Sequence, residues 1–139
     1  MGAFENAQKF FEACETSQGW VGCKSWVAEG ATFSAQCEPL VGIQSLEDYC
    51  EWMGNLGTVV APGATYDLHT ASYSPESRSA VFFATIHVKH TGEGGPVPPT
   101  GREAHSEYVY ILRMNTEDQV EHLTKVWNPA WANRELGWV

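Results

Sequence analysis

A chain of 139 residues that is 43% hydrophobic and 12% aromatic carries enough apolar material for one core, and is expected to form a single domain spanning 1–139. Eight basic against seventeen acidic residues leave a formal charge of −9, which repels nucleic acid and anionic lipid at long range and argues against a nucleic-acid partner. No apolar run reaches membrane-spanning length and no leader-like segment opens the sequence, so the expectation is a cytoplasmic protein without a membrane partner.

Phe4, Ala7, Phe11 and Cys14 recur at three- and four-residue steps and place an apolar stripe on a first helix, which Gly19 ends. Trp20, Cys23 and Val27 repeat the spacing on a short second helix reaching toward Gly30. The segment ATFSAQC then reads as a strand. Ser45 followed by Asp48 resembles a capping box, and Leu46, Tyr49, Cys50, Met53 and Leu56 supply the apolar face of a third helix. From Ala64 onward the pattern is strands. TYDLHTASY and SAVFFATIHVK flank the turn-like SPESR, and EAHSEYVYILRM and QVEHLTKVW flank NTED. Asn128 before Pro129 opens a last short helix that Gly137 closes. Helices followed by a mainly antiparallel sheet make an α+β domain with helices on one face.

Two segments carry a family signature. Lys89, His90, Thr91 and Gly92 followed by Pro98, Pro99, Thr100, Gly101 and Arg102, together with the closing run from Val120 to Gly137, resemble the SnoaL-like polyketide cyclase group of the NTF2-like, ketosteroid isomerase-like superfamily. The resemblance implies a curved sheet wrapped around helices as a cone, a pocket at its open end, and acid/base chemistry (cyclisation, isomerisation or dehydration) on a hydrophobic carbonyl compound. It also implies that Val120 and the residue eight positions later, Asn128, face the cone.

Pairing Met114 with Gln119 across the NTED turn sets His105, Glu107, Val109, Ile111, Val120, His122, Thr124, Val126 and Asn128 on one face, and Tyr108, Tyr110, Leu112, Leu123, Lys125 and Trp127 on the other. A turn one residue longer or shorter would exchange the partners. With Val120 and Asn128 inward, the histidine face becomes the pocket. His122 is then the candidate general base or acid and Glu107 the second candidate, with His105, Thr124, Val109, Trp52 and Tyr49 as substrate contacts.

Asn128 departs from the family, whose catalytic aspartate it replaces; an amide exchanges no proton at neutral pH. An Asn-Pro pair is also a favourable helix cap. The protein is therefore either an enzyme using His122 and Glu107, a non-catalytic binder of a hydrophobic small molecule, or an interaction module of the same fold. Lys125 beside Tyr108 reads as a solvated or interface lysine rather than a Schiff-base one. Cys14, Cys23, Cys37 and Cys50 lack a CxxC pair and read as reduced buried thiols, with no metal site and no cofactor expected. The Tyr108, Tyr110, Leu112, Leu123 and Trp127 face, if outward, forms an apolar patch that a second copy would cover, so a homodimer is expected.

Overall fold

The computed structural model describes residues 2–139. Helix α1 spans Ala3–Glu15 and buries Ala7, Phe10, Phe11 and Cys14. Helix α2 is only Gly19–Cys23, and Cys23 is its one buried residue. The predicted extension of this helix through Val27 is corrected: Val27 opens strand β1 (Val27–Ala35) and pairs with Val120, so a sheet partner takes the residue that helical spacing had assigned. Helix α3 spans Leu46–Asn55 and starts at Ser45, whose Oγ accepts the Asp48 N–H at 3.1 Å. It runs into a wider turn over Leu56–Val60.

Strands β2 (Thr65–Ser74), β3 (Ser79–Lys89), β4 (Glu103–Met114) and β5 (Val120–Trp127) follow, then helix α4 (Pro129–Leu136). The cap expected at Asn128 is present: its Oδ1 accepts the Trp131 N–H at 3.4 Å, and Gly137 ends the helix at φ 76°. Sheet order is β1-β5-β4-β3-β2, with β1 parallel to β5 and all other neighbours antiparallel. Phe10, Phe11, Phe33, Phe82, Leu112 and Leu123 are buried between the helices and one face of this curved sheet, giving the expected α+β cone. Among the described residues no helix is long and apolar enough to cross a membrane.

The β4–β5 register overturns the inward assignment of the histidine face. The pairs are Tyr110 with Lys125, Leu112 with Leu123 and Arg113 with His122, but then Met114 with Val120, so a bulge breaks the ladder at Glu121. Glu121 lies against Arg113, 3.7 Å from its Nε, and His122 pairs with the same arginine. Two successive residues thus face one partner, and alternation is lost there. Val120 is inward as expected, fully buried beside Met114. His122, two residues on, is outward. Tyr108, Tyr110, Leu112, Leu123 and Lys125 are all buried, and the apolar outer patch inferred from them does not exist.

The Lys89–Arg102 loop is an insertion in a continuous hairpin, since Lys89 pairs with Glu103 on its far side. It folds back onto the Leu56–Val60 turn, where the Gly92 N–H donates to Val60 O at 2.9 Å. A Cβ on Gly92 would fall 1.6 Å from Val59 O, so the close approach requires glycine. His90 anchors the loop. It is fully buried, and its Nδ1 accepts the Trp138 indole N–H at 2.9 Å.

Candidate active site in the cone

A cavity of about 400 Å³ occupies the open end of the cone. Its walls are mainly apolar: Trp52 from α3, Trp127 at the end of β5, Trp138 after α4, and Ile86 and Val88 from β3, with Gly95 of the inserted loop. The polar side chains on it are Glu38, Asn55, Ser106 and Asn133. Ser106 is buried and its Oγ accepts the Trp127 indole N–H at 2.7 Å, which fixes that ring against the cavity. An aromatic space with few polar groups suits a flat hydrophobic molecule.

Behind the tryptophan wall lies a buried chain of ionisable groups. Lys125 Nζ donates to the Tyr49 hydroxyl at 3.0 Å. Tyr49 and Tyr110 hydroxyls are in short contact, and Tyr110 donates to Glu15 Oε2 at 2.6 Å. Tyr108 donates to Glu15 Oε1. Because the Tyr110 proton goes to the carboxylate, Tyr49 must donate to Tyr110. The hydrogen bonds therefore run in one direction from Lys125 to Glu15.

Burial sets the protonation behaviour of this chain. Lys125 is 6% exposed; desolvation lowers its pKa to about 8, partly opposed by the charge of Glu15. Desolvation raises the Glu15 carboxyl above its ordinary range, against the pull of Lys125 and of the Tyr108 and Tyr110 hydroxyls. The same burial pushes Tyr49, Tyr108 and Tyr110 upward, with Glu15 adding to it. Aromatic rings surround the ammonium: its Nζ lies 4.4 Å from the Trp127 ring centroid and 5.4 Å from that of Trp52. Both rings are cavity walls.

The residues singled out from sequence divide three ways. Trp52 lines the cavity and Tyr49 lies in the buried chain behind it. His105, Glu107 and Asn128 come together on the opposite side of the sheet, at a polar cavity of about 480 Å³ that also includes Thr85 and Trp131. His105 Nδ1 is 2.7 Å from His87 Nδ1, and His87 Nε2 is 2.8 Å from Asp67 Oδ2. His122 stands elsewhere on that outer face, 2.6 Å from Thr32 Oγ1 and 3.0 Å from Ser34 Oγ, with Thr124 next to Ser34. Desolvation, and secondarily Arg113, lowers the His122 pKa. Val109 also faces outward, paired with Val126. None of these outer residues lines the cone cavity, so the pairing of His122 with Glu107 inside it is corrected.

Sequence reasoning missed Glu15, Ser106 and Trp138 as site residues and set Tyr110, Lys125 and Trp127 on the outer face. Glu15 had a signal: four residues after Phe11, it continues the buried stripe of α1, where a carboxylate needs partners.

No family model and no curated protein matches the sequence. Solved structures do match. AclR from Streptomyces galilaeus, a proposed hydroxylase, superposes with a TM-score of 0.78 at 16% identity, covering 99% of this chain and 85% of that one. A proposed SnoaL-like polyketide cyclase from Jannaschia sp. CCS1 gives 0.77 at 13% identity, covering 96% and 90%. An NTF2-like protein from Burkholderia thailandensis E264 gives 0.74 at 10% identity, covering 97% of each chain. At such identities the likeness is one of fold.

Proposed function

From an NTF2-like fold of the SnoaL-like kind, with an apolar cavity set over a buried lysine, we propose that this protein is a small-molecule enzyme. Its substrate is a hydrophobic carbonyl compound held between Trp52, Trp127 and Trp138. Lys125, behind the Trp127 ring rather than on the cavity surface, is the acid/base group and is reached when that ring turns aside; Tyr49, Tyr110 and Glu15 form the path that takes and returns its proton. The observation that carries this reading is the amine 4.4 Å from the ring of a cavity wall, with its pKa brought near neutrality. An amine with a pKa near ambient pH is suited to withdraw a proton beside a carbonyl and return it elsewhere, the step shared by isomerisation, dehydration and aldol-type cyclisation. The solved neighbours described as a polyketide cyclase and a hydroxylase support the class of molecule and leave the step open.

The test is proton exchange at the carbon next to the carbonyl in a panel of hydrophobic ketones in deuterated water, followed by NMR. The wild type accelerates exchange, and Lys125→Gln, which keeps a donor toward Tyr49, loses about a hundredfold or more of that rate. His122→Ala and Glu107→Gln retain it. Exchange undiminished in Lys125→Gln, or lost in His122→Ala, overturns the assignment.

One observation favours a second reading, a binding protein without turnover. Lys125 is not among the residues that line the cavity; its amine lies behind the Trp127 ring, 4.4 Å from the ring centroid, and meets no ligand while that ring stays in place. Ketone binding with wild-type exchange no faster than buffer would select it. We also propose that two copies pair through the outer sheet face, where Val81 and Val126 are exposed among four histidines; sedimentation at micromolar concentration tests this.

A further inference from the structure

Three thiols meet where the helices cover the cone. Cys14 comes from α1, Cys23 from α2 and Cys50 from α3, and their sulfur atoms all lie within 4.8 Å of one another. Each is at most 1% exposed. Cys37, half-buried just after β1, is not part of the group. Sequence spacing conceals the cluster because each helix contributes a single member.

The surroundings decide which kind of centre these sulfurs can hold. The three sulfurs are sealed from solvent, and the buried Glu15 carboxylate follows Cys14 in α1. A sealed site beside a carboxylate resists added negative charge. A monovalent cation on three thiolates leaves two net charges there, and a divalent cation leaves one. A trivalent centre leaves none.

We propose that Cys14, Cys23 and Cys50 form a three-sulfur site for a trivalent thiophilic centre, arsenic(III) delivered as arsenous acid. Three As–S bonds form and three As–OH bonds break. Each thiol proton leaves with one hydroxyl as water, and the oxidation state is unchanged. Taking the zinc–thiolate bond of about 2.3 Å as a guide, a pyramidal three-bonded centre holds its sulfurs about 3.5 Å apart, so thiols that now lie within 4.8 Å of one another close on it by about an ångström, through side-chain rotation and small helix shifts. Entry is through α2, a five-residue helix whose Val21 is 79% exposed and whose Trp20 N–H is held by Glu51 Oε1 at 2.7 Å. Short segments of this kind open locally at little cost.

The experiment uses the reduced full-length protein titrated with arsenite. Native mass spectrometry is expected to find one arsenic per chain, and X-ray absorption at the arsenic edge three sulfur neighbours and no oxygen. Cys37→Ser keeps both results. Cys23→Ser, checked for fold by circular dichroism, retains one oxygen neighbour and binds about tenfold or more weakly. If that variant fails to fold, Cys50→Ala takes its place, and the wild-type spectrum stands without either. No bound arsenic, an oxygen neighbour in the wild type, loss of binding in Cys37→Ser, or tighter binding of cadmium than of arsenite overturns the proposal.

Discussion

Lys125 shares its enclosure with Glu15 from α1, Tyr49 from α3, Tyr108 and Tyr110 from β4, and the Cys14 and Cys37 thiols nearby. Its pKa in the folded protein, about 8, lies below the unfolded value of about 10.4. Between these values the unfolded chain holds a proton that the native state has released, so this residue makes stability rise with pH across that window. The raised thiols and tyrosines act in the opposite sense there. The informative quantity is therefore the difference between wild type and Lys125→Met in denaturant titrations: it should move in favour of the wild type from pH 8 to pH 10, and a flat difference rejects the buried-lysine account. Tyr110→Phe is expected to cost about 1–3 kcal/mol, because it leaves Glu15 Oε2 without its donor in a buried place. Equilibrium unfolding checks it. An unchanged midpoint would mean that water replaces the hydroxyl.

The elements were readable from sequence to a useful degree, and their faces were not. Periodicity and turn residues located α1, α3, α4 and the four strands β2 to β5, because apolar spacing and the Ser45 and Asn128 caps are local properties. What periodicity cannot register is one extra residue in a ladder. The bulge at Glu121 lets Val120 point inward while His122 points outward, so a correct anchor led to the wrong face for every residue after it. Lys125 was set aside for the same reason. Asn128 belongs to the helix terminus: Asn128→Ala should cost about 1 kcal/mol through the lost cap, while Asn128→Asp keeps an acceptor for Trp131 and leaves ketone exchange unchanged. A rate gain in Asn128→Asp would return this position to the catalytic site. In the inserted loop, Gly92→Ala should detach the segment from Val59 and Val60 and weaken ligand binding, read as reduced quenching of the cavity tryptophans by a bound ketone.

For the molecule as a whole, the separation of two chemistries by one sheet is the main organising fact. Inside are tyrosines, a lysine and a carboxylate next to an apolar cavity; outside are His69, His87, His105 and His122 among threonines, serines and exposed valines. Val126→Glu should shift a sheet-to-sheet dimer toward monomer without altering exchange of a bound ketone; a wild type that sediments as a monomer removes the dimer instead. The Glu15 carboxylate bridges residues 93 and 95 positions away in Tyr108 and Tyr110, and β1 finds its parallel partner only in β5. During synthesis, α1 therefore emerges with an unmatched carboxylate and waits for nearly the whole chain before that group has anywhere to go. Closing such distant contacts is slow relative to forming helices, so the site is expected to assemble late in folding, and a ribosome-bound chain halted before β4 would carry α1 to α3 without the chemistry of the cone.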